Sequence, residues 1–440
     1  MRKTYRPYEP NQALLLPPSL QDWLPSKHLA FFVMDVVRNL DLSGIYAFYE
    51  QEERGYPPYH PEMMLQVLVY AYCRGIYSSR KIARAIEEEV PFRVLAAGNL
   101  PDFRTVSDFR KRHLKEFHNL FVQALRLCQE AGLVKMGRVA LDGSKIKANA
   151  SKHKAMSYGR MKKKLSELEA EVKELLQRAE EEDAREDAEY GVGRRGDELP
   201  EELAIREKRL KKIKEAKEAL EKEVQEEAKK RGQPAELAVP ADKAQRNFTD
   251  PESRIMKGSD GFVQAYNAQI LVDEEAQVIV AERATNEGTD HGAVLKLVEQ
   301  VEENTGRLPE KLLSDAGTAS KSNLGYLEGR KIDAYVATEK LRHGSPAPQA
   351  PRGRIPKDMG LLERMKRKLQ TRRGREEYKH RKAIVEPVFG QVKHARSFAQ
   401  FSLRGGWKVQ GEWSLICAVH NLLKLFGGWQ EAGTGVLGLT

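Results

Sequence analysis

Apolar positions recur at helical spacing over the first 135 residues of the chain. They fall every three or four positions within residues 26–50, and residues 63–72 are apolar almost all round, as is typical of a buried helix. Two serines at 78 and 79 precede a further run of the same kind. We therefore predict an all-α domain over residues 1–135, with a proline-rich extended arm at its start.

Several cations lie close together in the second half of this domain. Thr105, with Asp108 three residues later, fits a capping box and predicts a helix start. Two short helices, a turn and a basic helix outline a helix-turn-helix, which would place these cations on DNA. A basic helix in an ordinary all-α domain has the same pattern, so both interpretations stay open. The candidate DNA-binding residues are Arg104, Arg110, Lys111 and Arg112.

The pattern between residues 153 and 233 changes to two long amphipathic stretches. Their apolar residues alternate by three and four, and a glycine-rich segment at 191–196 separates them. This pattern predicts an antiparallel coiled-coil hairpin inserted into a domain. We expect the hairpin to contact a second subunit or to bridge to a second DNA duplex. The alternative is an inert spacer whose two helices satisfy each other.

Alternating β-type runs appear on both sides of the hairpin. With helices at 289–303 and 320–329, the order is β, β, β, α, β, α, β, and we expect the first and fourth strands to be adjacent. The sequence thus predicts an α/β catalytic core over 136–152 and 234–338, a basic linker or insertion at 339–375, and core helices with a C-terminal tail at 376–440. The predicted strands cover 138–141, 262–272, 278–284, 311–314 and 332–337.

Three carboxylates occupy comparable places in this core. Asp142 ends the first strand, Asp315 ends the fourth, and Glu386 is placed at a helix start because Pro387 suits a first helical turn. Clustered carboxylates repel one another and need cations between them, and oxygen ligands suit Mg²⁺ or Mn²⁺. We expect the three to converge on two such ions. The alternative is that Asp142 belongs to an Asp-Gly turn and is not a metal ligand.

Other acids of the same core compete for these roles. Asp260 and Asp273 stand in turn-like contexts, and Asp290 is predicted to cap a helix. Position relative to the strands favours Asp142, Asp315 and Glu386 over them.

The net charge and its distribution predict a polyanionic partner. The net charge is +10, and residues 361–396 hold 12 Lys and Arg against 4 Asp and Glu. Such a basic excess favours nucleic acid. The three cysteines have no paired spacing, which predicts a reducing environment without disulfides or a zinc cluster. No apolar run is long enough to span a membrane and no signal peptide is seen, so we expect a cytoplasmic, nucleoid-associated protein.

Three stretches of the chain carry a resemblance to a known family. They are Ala140-Leu141-Asp142-Gly143-Ser144, Leu313-Ser314-Asp315-Ala316-Gly317 and Tyr378-Lys379-His380-Arg381 leading into Val385-Glu386-Pro387-Val388-Phe389-Gly390-Gln391-Val392-Lys393. With them the sequence resembles bacterial insertion-sequence transposases of the DDE type. The resemblance implies a ribonuclease-H-like core, a divalent metal pair, DNA cut-and-join chemistry on double-stranded transposon ends and a homodimer. Two further stretches are similar to this family. One runs from residues 59–61 to residues 80–82, and the other from residues 411–414 to residues 420–421.

The family's Tyr…Arg…Glu…Lys signature maps to Tyr378, Arg381, Glu386 and Lys393. Its commonest form has the Arg four residues before the Glu, whereas here Lys382 holds that place and Arg381 lies one residue earlier. Either cation could therefore face DNA. The resemblance implies that the Tyr, Arg and Lys side chains hold DNA phosphates, which charge-assisted contacts would favour.

Three functions agree with these patterns. The leading one is a transposase that binds transposon ends and transfers strands. A nuclease of the same fold would cut without joining, and a catalytically silent repressor would only bind DNA. Strand transfer of a labelled end separates the three.

Overall fold

A computed structural model describes residues 19–50, 57–190, 201–230, 232–258, 261–339 and 359–432, with positions 351, 353 and 356. The described residues form two compact units, one holding the residues up to Leu133 with those from Leu415, the other the residues from Val134 to Ser414. The proline-rich arm, the glycine-rich segment at 191–196 and Asp260 lie outside the described residues. None of the described helices is both long enough and apolar enough to cross a membrane.

The first unit is helical, as the apolar periodicity predicts. Helix α3 is buried almost all round, because its apolar residues face helices on several sides. Residues from 415 onwards, which the sequence assigns to the tail of the α/β core, belong to this unit instead. Here Phe426 contacts Phe32 with ring centroids 5.1 Å apart. The helices of this unit are α1 (Leu29–Arg38), α2 (Ser43–Tyr49), α3 (Pro61–Cys73), α4 (Ser79–Glu88), α5 (Val90–Leu95), α6 (Phe103–Arg112) and α7 (Glu116–Glu130).

Helix α6 begins earlier than the capping pattern predicts. Asp102 is its N-cap, and the Asp102 carboxylate accepts a hydrogen bond of 2.7 Å from the backbone N–H of Thr105. The capping box at Thr105 and Asp108 is therefore wrong, because an aspartate three residues upstream satisfies the same N–H group.

His113, at the C-terminal end of α6, makes the stability of the first unit depend on pH. Burial lowers the pKa of His113 to about 4, and its imidazole lies 3.2 Å from the Tyr49 hydroxyl. Below a pH of about 6.5 this histidine is protonated in the unfolded chain but neutral in the native protein. The free energy of unfolding therefore falls as pH decreases towards about 4. We expect a loss of about 2 kcal/mol between pH 7 and pH 4 that is absent in His113→Gln. Calorimetric unfolding of both proteins across this range checks it, and parallel pH profiles would contradict it.

The second unit is built on a six-stranded mixed sheet. Strand β1 pairs antiparallel with β5 and parallel with β7, β7 pairs parallel with β8, and β5 pairs antiparallel with β4 and β6 along its other edge. The first and fourth predicted strands are thus adjacent, as expected. The strands are β1 (Arg138–Lys147), β2 (Ala155–Ser157), β3 (Gln245–Asn247), β4 (Arg254–Gly258), β5 (Gly261–Asp273), β6 (Ile279–Thr285), β7 (Lys311–Ser314) and β8 (Asp333–Val336).

Helices cover this sheet and complete the predicted fold class. The fold is α/β, a ribonuclease-H-like mixed sheet flanked by helices, with an all-α N-terminal domain and an inserted helical hairpin. Short β2 and β3 pair with each other beside the hairpin, and β4 was not predicted. The further helices are α8 (Tyr158–Tyr190), α9 (Glu201–Lys230), α10 (Ala293–Thr305), α11 (Lys321–Gly329), α12 (Leu361–Gln370), α13 (Arg372–Gly390) and α14 (Gly406–Ala432), and a π-helical turn (Gln391–Ala395) follows α13.

The inserted helices α8 and α9 run antiparallel and bury a shared apolar face. Lys214 pairs with Glu169 at 2.7 Å, and Arg206 pairs with Glu171 further along. The apolar contacts between the helices explain why they fold back on each other; the coiled-coil description stays a prediction. The buried residues of this face are Tyr158, Met161, Leu165, Leu168, Ile213, Ala216 and Leu220.

The Glu386 helix differs from the expectation in two ways. It begins at Arg372, inside the predicted linker, so Glu386 and Pro387 lie near its C-terminal end rather than in its first turn. A proline there removes the N–H that would bond to the carbonyl four residues earlier. The side chain of Gln277 donates to that carbonyl, Ala383 O, at 3.0 Å. A side chain from outside the helix thus replaces the missing backbone donor.

Candidate active site

Two carboxylates lie side by side where the parallel strand pair ends. The ladder between β1 and β7 finishes at Leu141 opposite Ser314, and the next residue on each strand is an aspartate. Asp142, within β1, and Asp315, directly after β7, therefore lie at the same level, one residue beyond the last paired positions. Asp315 also caps the short turn after β7, accepting the Gly317 N–H at 2.8 Å.

The sequence predicts that β1 ends at Asp142. In the structure, β1 continues to Lys147 along β5. On its other edge it pairs with β7 up to Leu141 and bridges to Gln400 at Lys147. Among the described residues, 142–146 of β1 have no strand partner on that edge. The sheet is open there, so side chains from both of its faces can meet at the opening.

Helix α13 lies across β1 and β7 and is fixed there by a shared carboxylate. Glu377 pairs with Arg138 at 2.8 Å and with Lys311 at 2.6 Å. Arg138 and Lys311 are register partners on the two strands. One carboxylate therefore holds the helix against both strands, and the following turn of α13 lies over the aspartates.

Arg381 on that turn forms an ion pair with Asp142, with Nη1 3.2 Å from Oδ2. Burial raises the pKa of Asp142 against the opposing effects of Arg381 and of the Gly143 N–H, while Asp315 and Asp290 add to the rise. Burial alone would lower the pKa of Arg381, but Asp142, Tyr378 and Asp315 raise it. Asp315 and Asp290 thus both act electrostatically on Asp142.

The remaining signature residues lie on α13 and just beyond it. Tyr378 is half-buried, and burial raises its pKa. Lys393, in the π-helical turn, donates to the Ser144 hydroxyl at 2.6 Å. Lys382 is exposed. Arg381 thus faces Asp142 in this structure, while Lys382 faces solvent.

Among the described residues, no contact joins Glu386 to Asp142 or Asp315. Glu386 is exposed on α13, and among the described residues its carboxylate makes no hydrogen bond or ion pair. Within the same part of the chain, no three His, Cys, Asp or Glu side chains are arranged to hold one metal ion. Asp142 and Asp315 remain a suitable pair, since Mg²⁺ is usually held by one or two carboxylates together with substrate phosphates and water.

Sequence reasoning missed two groups beside these aspartates. Asp290 does not cap α10, whose N-cap is Gly292, and interacts electrostatically with Asp142 instead. Burial lowers the pKa of the half-buried Lys145, and Asp290, Asp142 and Asp315 oppose this. Polar Asn267 and Gln269, in a strand buried on both faces, were the available signal for a polar cluster.

The first unit carries a separate basic groove between α4 and α6. Arg104, Lys111 and Arg112 are exposed, and the Arg80 guanidinium lies 5.0 Å from the ring centroid of Phe103. Arg110, by contrast, is buried and donates to the Tyr72 hydroxyl and the Tyr77 carbonyl, so it is not among the exposed cations of this groove. The groove has a volume of about 450 Å³ and is lined by Ser78, Ser79, Arg80, Phe103, Arg104, Ser107, Asp108 and Lys111.

Removing a cation from this groove should weaken DNA binding in a salt-dependent way. For Arg104→Ala and Lys111→Ala we expect the slope of log affinity against log salt to fall by about one per lost phosphate contact. Fluorescence anisotropy with a duplex at several salt concentrations measures it. The matched control is Arg84→Ala, an exposed cation of α4 that pairs with Glu88 outside the groove lining. Equal slopes for all four proteins would contradict the assignment.

Two parts of the chain match known family models. Residues 18–112 match the family model described as Transposase domain (DUF772), and residues 353–426 match the one described as Transposase DDE domain. No curated protein and no solved structure gave a match. The second match contains α13 with Arg381 and Glu386. Together the two matches support an insertion-sequence transposase of the DDE type.

Proposed function

We propose that this protein binds the ends of a transposon and catalyses metal-dependent phosphodiester hydrolysis and strand transfer. The observation that carries the proposal is the pairing of Asp142 and Asp315 at the end of two adjacent parallel strands, under α13. DDE transposases normally use divalent metal ions. One transposase match precedes the strands of this sheet in sequence and the other follows them. Both support DNA as the substrate.

Asp142, Asp315 and Glu386 are the proposed metal ligands. When bound, two Mg²⁺ or Mn²⁺ ions would activate a water or 3′-hydroxyl and stabilise the leaving oxygen of the phosphodiester. Asp142 and Asp315 project at the opening of the sheet, where a DNA backbone can approach. Glu386, exposed on the same helix as Arg381, would supply the third carboxylate to these ions.

The cations around this opening are the proposed holders of DNA phosphates. Lys382 is exposed and faces solvent, whereas Arg381 already pairs with Asp142. We therefore assign the outer phosphate contact to Lys382 and a position beside the reacting group to Arg381. Lys393 and Tyr378 complete the set, and each can donate to a phosphate oxygen.

Strand transfer by purified protein tests the proposal. Duplexes that the protein binds are selected from a random library, labelled at the 5′ end and incubated with supercoiled plasmid and Mg²⁺. The proposal predicts labelled DNA joined to plasmid, and none in EDTA. Cleaved label without joining would support the nuclease alternative. Bound but uncut DNA would support the repressor.

Joining two ends requires that both be held together, so a homodimer is also proposed. The hairpin α8–α9 is the proposed bridging arm, because its charged outer face is left free by the apolar contacts between its helices. Replacing residues 160–231 by a short Gly/Ser linker should abolish paired-end complexes while single-end binding remains. Native gel electrophoresis with two end lengths measures this. Unchanged paired complexes would make the arm an inert spacer.

A further inference from the structure

Ser144 lies at the same opening of the sheet as Asp142 and on the same face. Side chains alternate between the two faces of a strand, so Asp142, Ser144 and Ile146 point to one side of β1. Two positions along a strand correspond to about 7 Å, which is the step from Asp142 to Ser144. Among the described residues, no strand pairs with β1 at Ser144 on its β7 edge. The Ser144 side chain is only partly buried, so it can meet groups that approach this opening.

Two cations, from α13 and from the turn after it, reach this face of β1. Arg381 pairs with Asp142, with Nη1 3.2 Å from Oδ2. Lys393 donates to the Ser144 hydroxyl from the π-helical turn, with Nζ 2.6 Å from Oγ. Both cations are themselves partly buried. Two alternate residues of β1 therefore each hold one cation at the opening.

The backbone that carries Lys393 is fixed to the core and to the end of β1. Val392 is buried, and its carbonyl accepts from the Phe398 N–H at 3.0 Å. The Phe401 N–H donates to the Lys147 carbonyl at 2.9 Å, which ties the following segment to the last residue of β1. What stays free to rotate is the long side chain of the lysine, and an anchor for its ammonium removes that freedom.

We infer that Ser144 is a positioning residue for Lys393: its hydroxyl holds the ammonium beside Asp142, aimed at the DNA phosphate next to the reacting one. The inference rests on the proposed function of this site. A lysine ammonium has three N–H donors, so the bond to Ser144 orients the group and still allows it to donate to a phosphate oxygen. An ammonium that is already held in place loses less side-chain freedom when DNA binds, which strengthens the contact.

Threonine and valine at position 144 provide the matched pair for a test. The two side chains have nearly the same shape and both suit a strand, but only threonine keeps the hydroxyl. We expect Ser144→Thr to retain most of the rate of cleavage of the selected duplex, and Ser144→Val to cleave it about tenfold more slowly. The control Ser322→Ala removes an exposed hydroxyl of α11 in the same unit and should cleave at the wild-type rate.

Lys393→Met decides whether the hydroxyl acts through the lysine. Methionine keeps an apolar stem without an ammonium, so in this background Ser144→Val should change the cleavage rate by no more than about twofold. About a tenfold loss in both backgrounds, or a Ser144→Val rate within about twofold of wild type, would overturn the inference and leave the proposed function standing.

Fluorescence anisotropy of the same four proteins, wild type, the two single variants and the double variant, gives the coupling between positions 144 and 393 in duplex affinity. We expect Ser144→Val to weaken duplex binding in the wild-type background and not in Lys393→Met. If the wild type bound the duplex without cleaving it, the proposed function would fail, and equal losses of affinity in the two backgrounds would then overturn the inference as well.

Discussion

Replacing either Asp142 or Asp315 by asparagine should lower the rate of DNA cleavage and joining by about a thousandfold or more, which corresponds to about 4 kcal/mol of transition-state stabilisation. Each variant removes a carboxylate charge at the end of the parallel strand pair, where the proposed ions would bind. DNA binding should change little, because the proposed phosphate contacts come from cations. Cleavage of a labelled, selected duplex and anisotropy titration of the same duplex measure the two effects.

A matched control separates this effect from a general loss of charge. Glu303→Gln removes an exposed carboxylate of α10 in the same unit and should leave cleavage unchanged. If Asp315→Asn cleaved DNA at the wild-type rate in Mg²⁺, the assignment of this residue would be wrong. If it lost DNA binding to the same extent as cleavage, its role would be structural.

Trp413→Ala should destabilise the second unit by about 3–5 kcal/mol, the usual loss for a buried tryptophan in a core. The indole is fully buried, and its ring centroid lies 6.4 Å from those of both Phe398 and Phe401. Its Nε1 also donates to the backbone carbonyl of Gln269 at 3.3 Å, on the strand that supports Asp290. Loss of this side chain leaves a cavity under the sheet and removes this hydrogen bond.

Trp407, six residues earlier on the same helix, provides the control. It is 57% exposed, so Trp407→Ala should change the free energy of unfolding by no more than about 0.5 kcal/mol. Urea unfolding followed by far-ultraviolet circular dichroism compares the two variants without relying on tryptophan fluorescence. Equal losses in both variants would show that the aromatic cluster does not anchor the sheet.

The sequence predicted the order of strands and helices in the core because their periodicity is local. It placed Asp315 correctly after its strand, since β7 is short and ends there in the structure. It ended β1 at Asp142, because the polar residues that follow resemble a turn. Only pairing with β5, more than a hundred residues away, keeps Gly143 and Ser144 in the strand. Tertiary pairing therefore overrode local propensity at the site itself.

The position of Pro387 and the contacts of Asp290 could not be predicted for the same kind of reason. A proline near the end of a helix is tolerated here because Gln277, from a distant turn, donates to the orphaned carbonyl of Ala383. Asp290 has the local context of a helix cap, and only the fold brings Asn267 and Gln269 under it. Both outcomes depend on side chains that are far apart in sequence.

Cysteine substitution at Asp142 tests the central claim, a catalytic divalent ion at this carboxylate, most directly. A thiolate is a soft ligand, and it binds Mn²⁺ more strongly than Mg²⁺. For Asp142→Cys, we predict that joining of the selected duplex to plasmid is lost in Mg²⁺ and partly restored in Mn²⁺, whereas wild type is active with both ions. Joining by Asp142→Cys at the wild-type rate in Mg²⁺ would contradict the account.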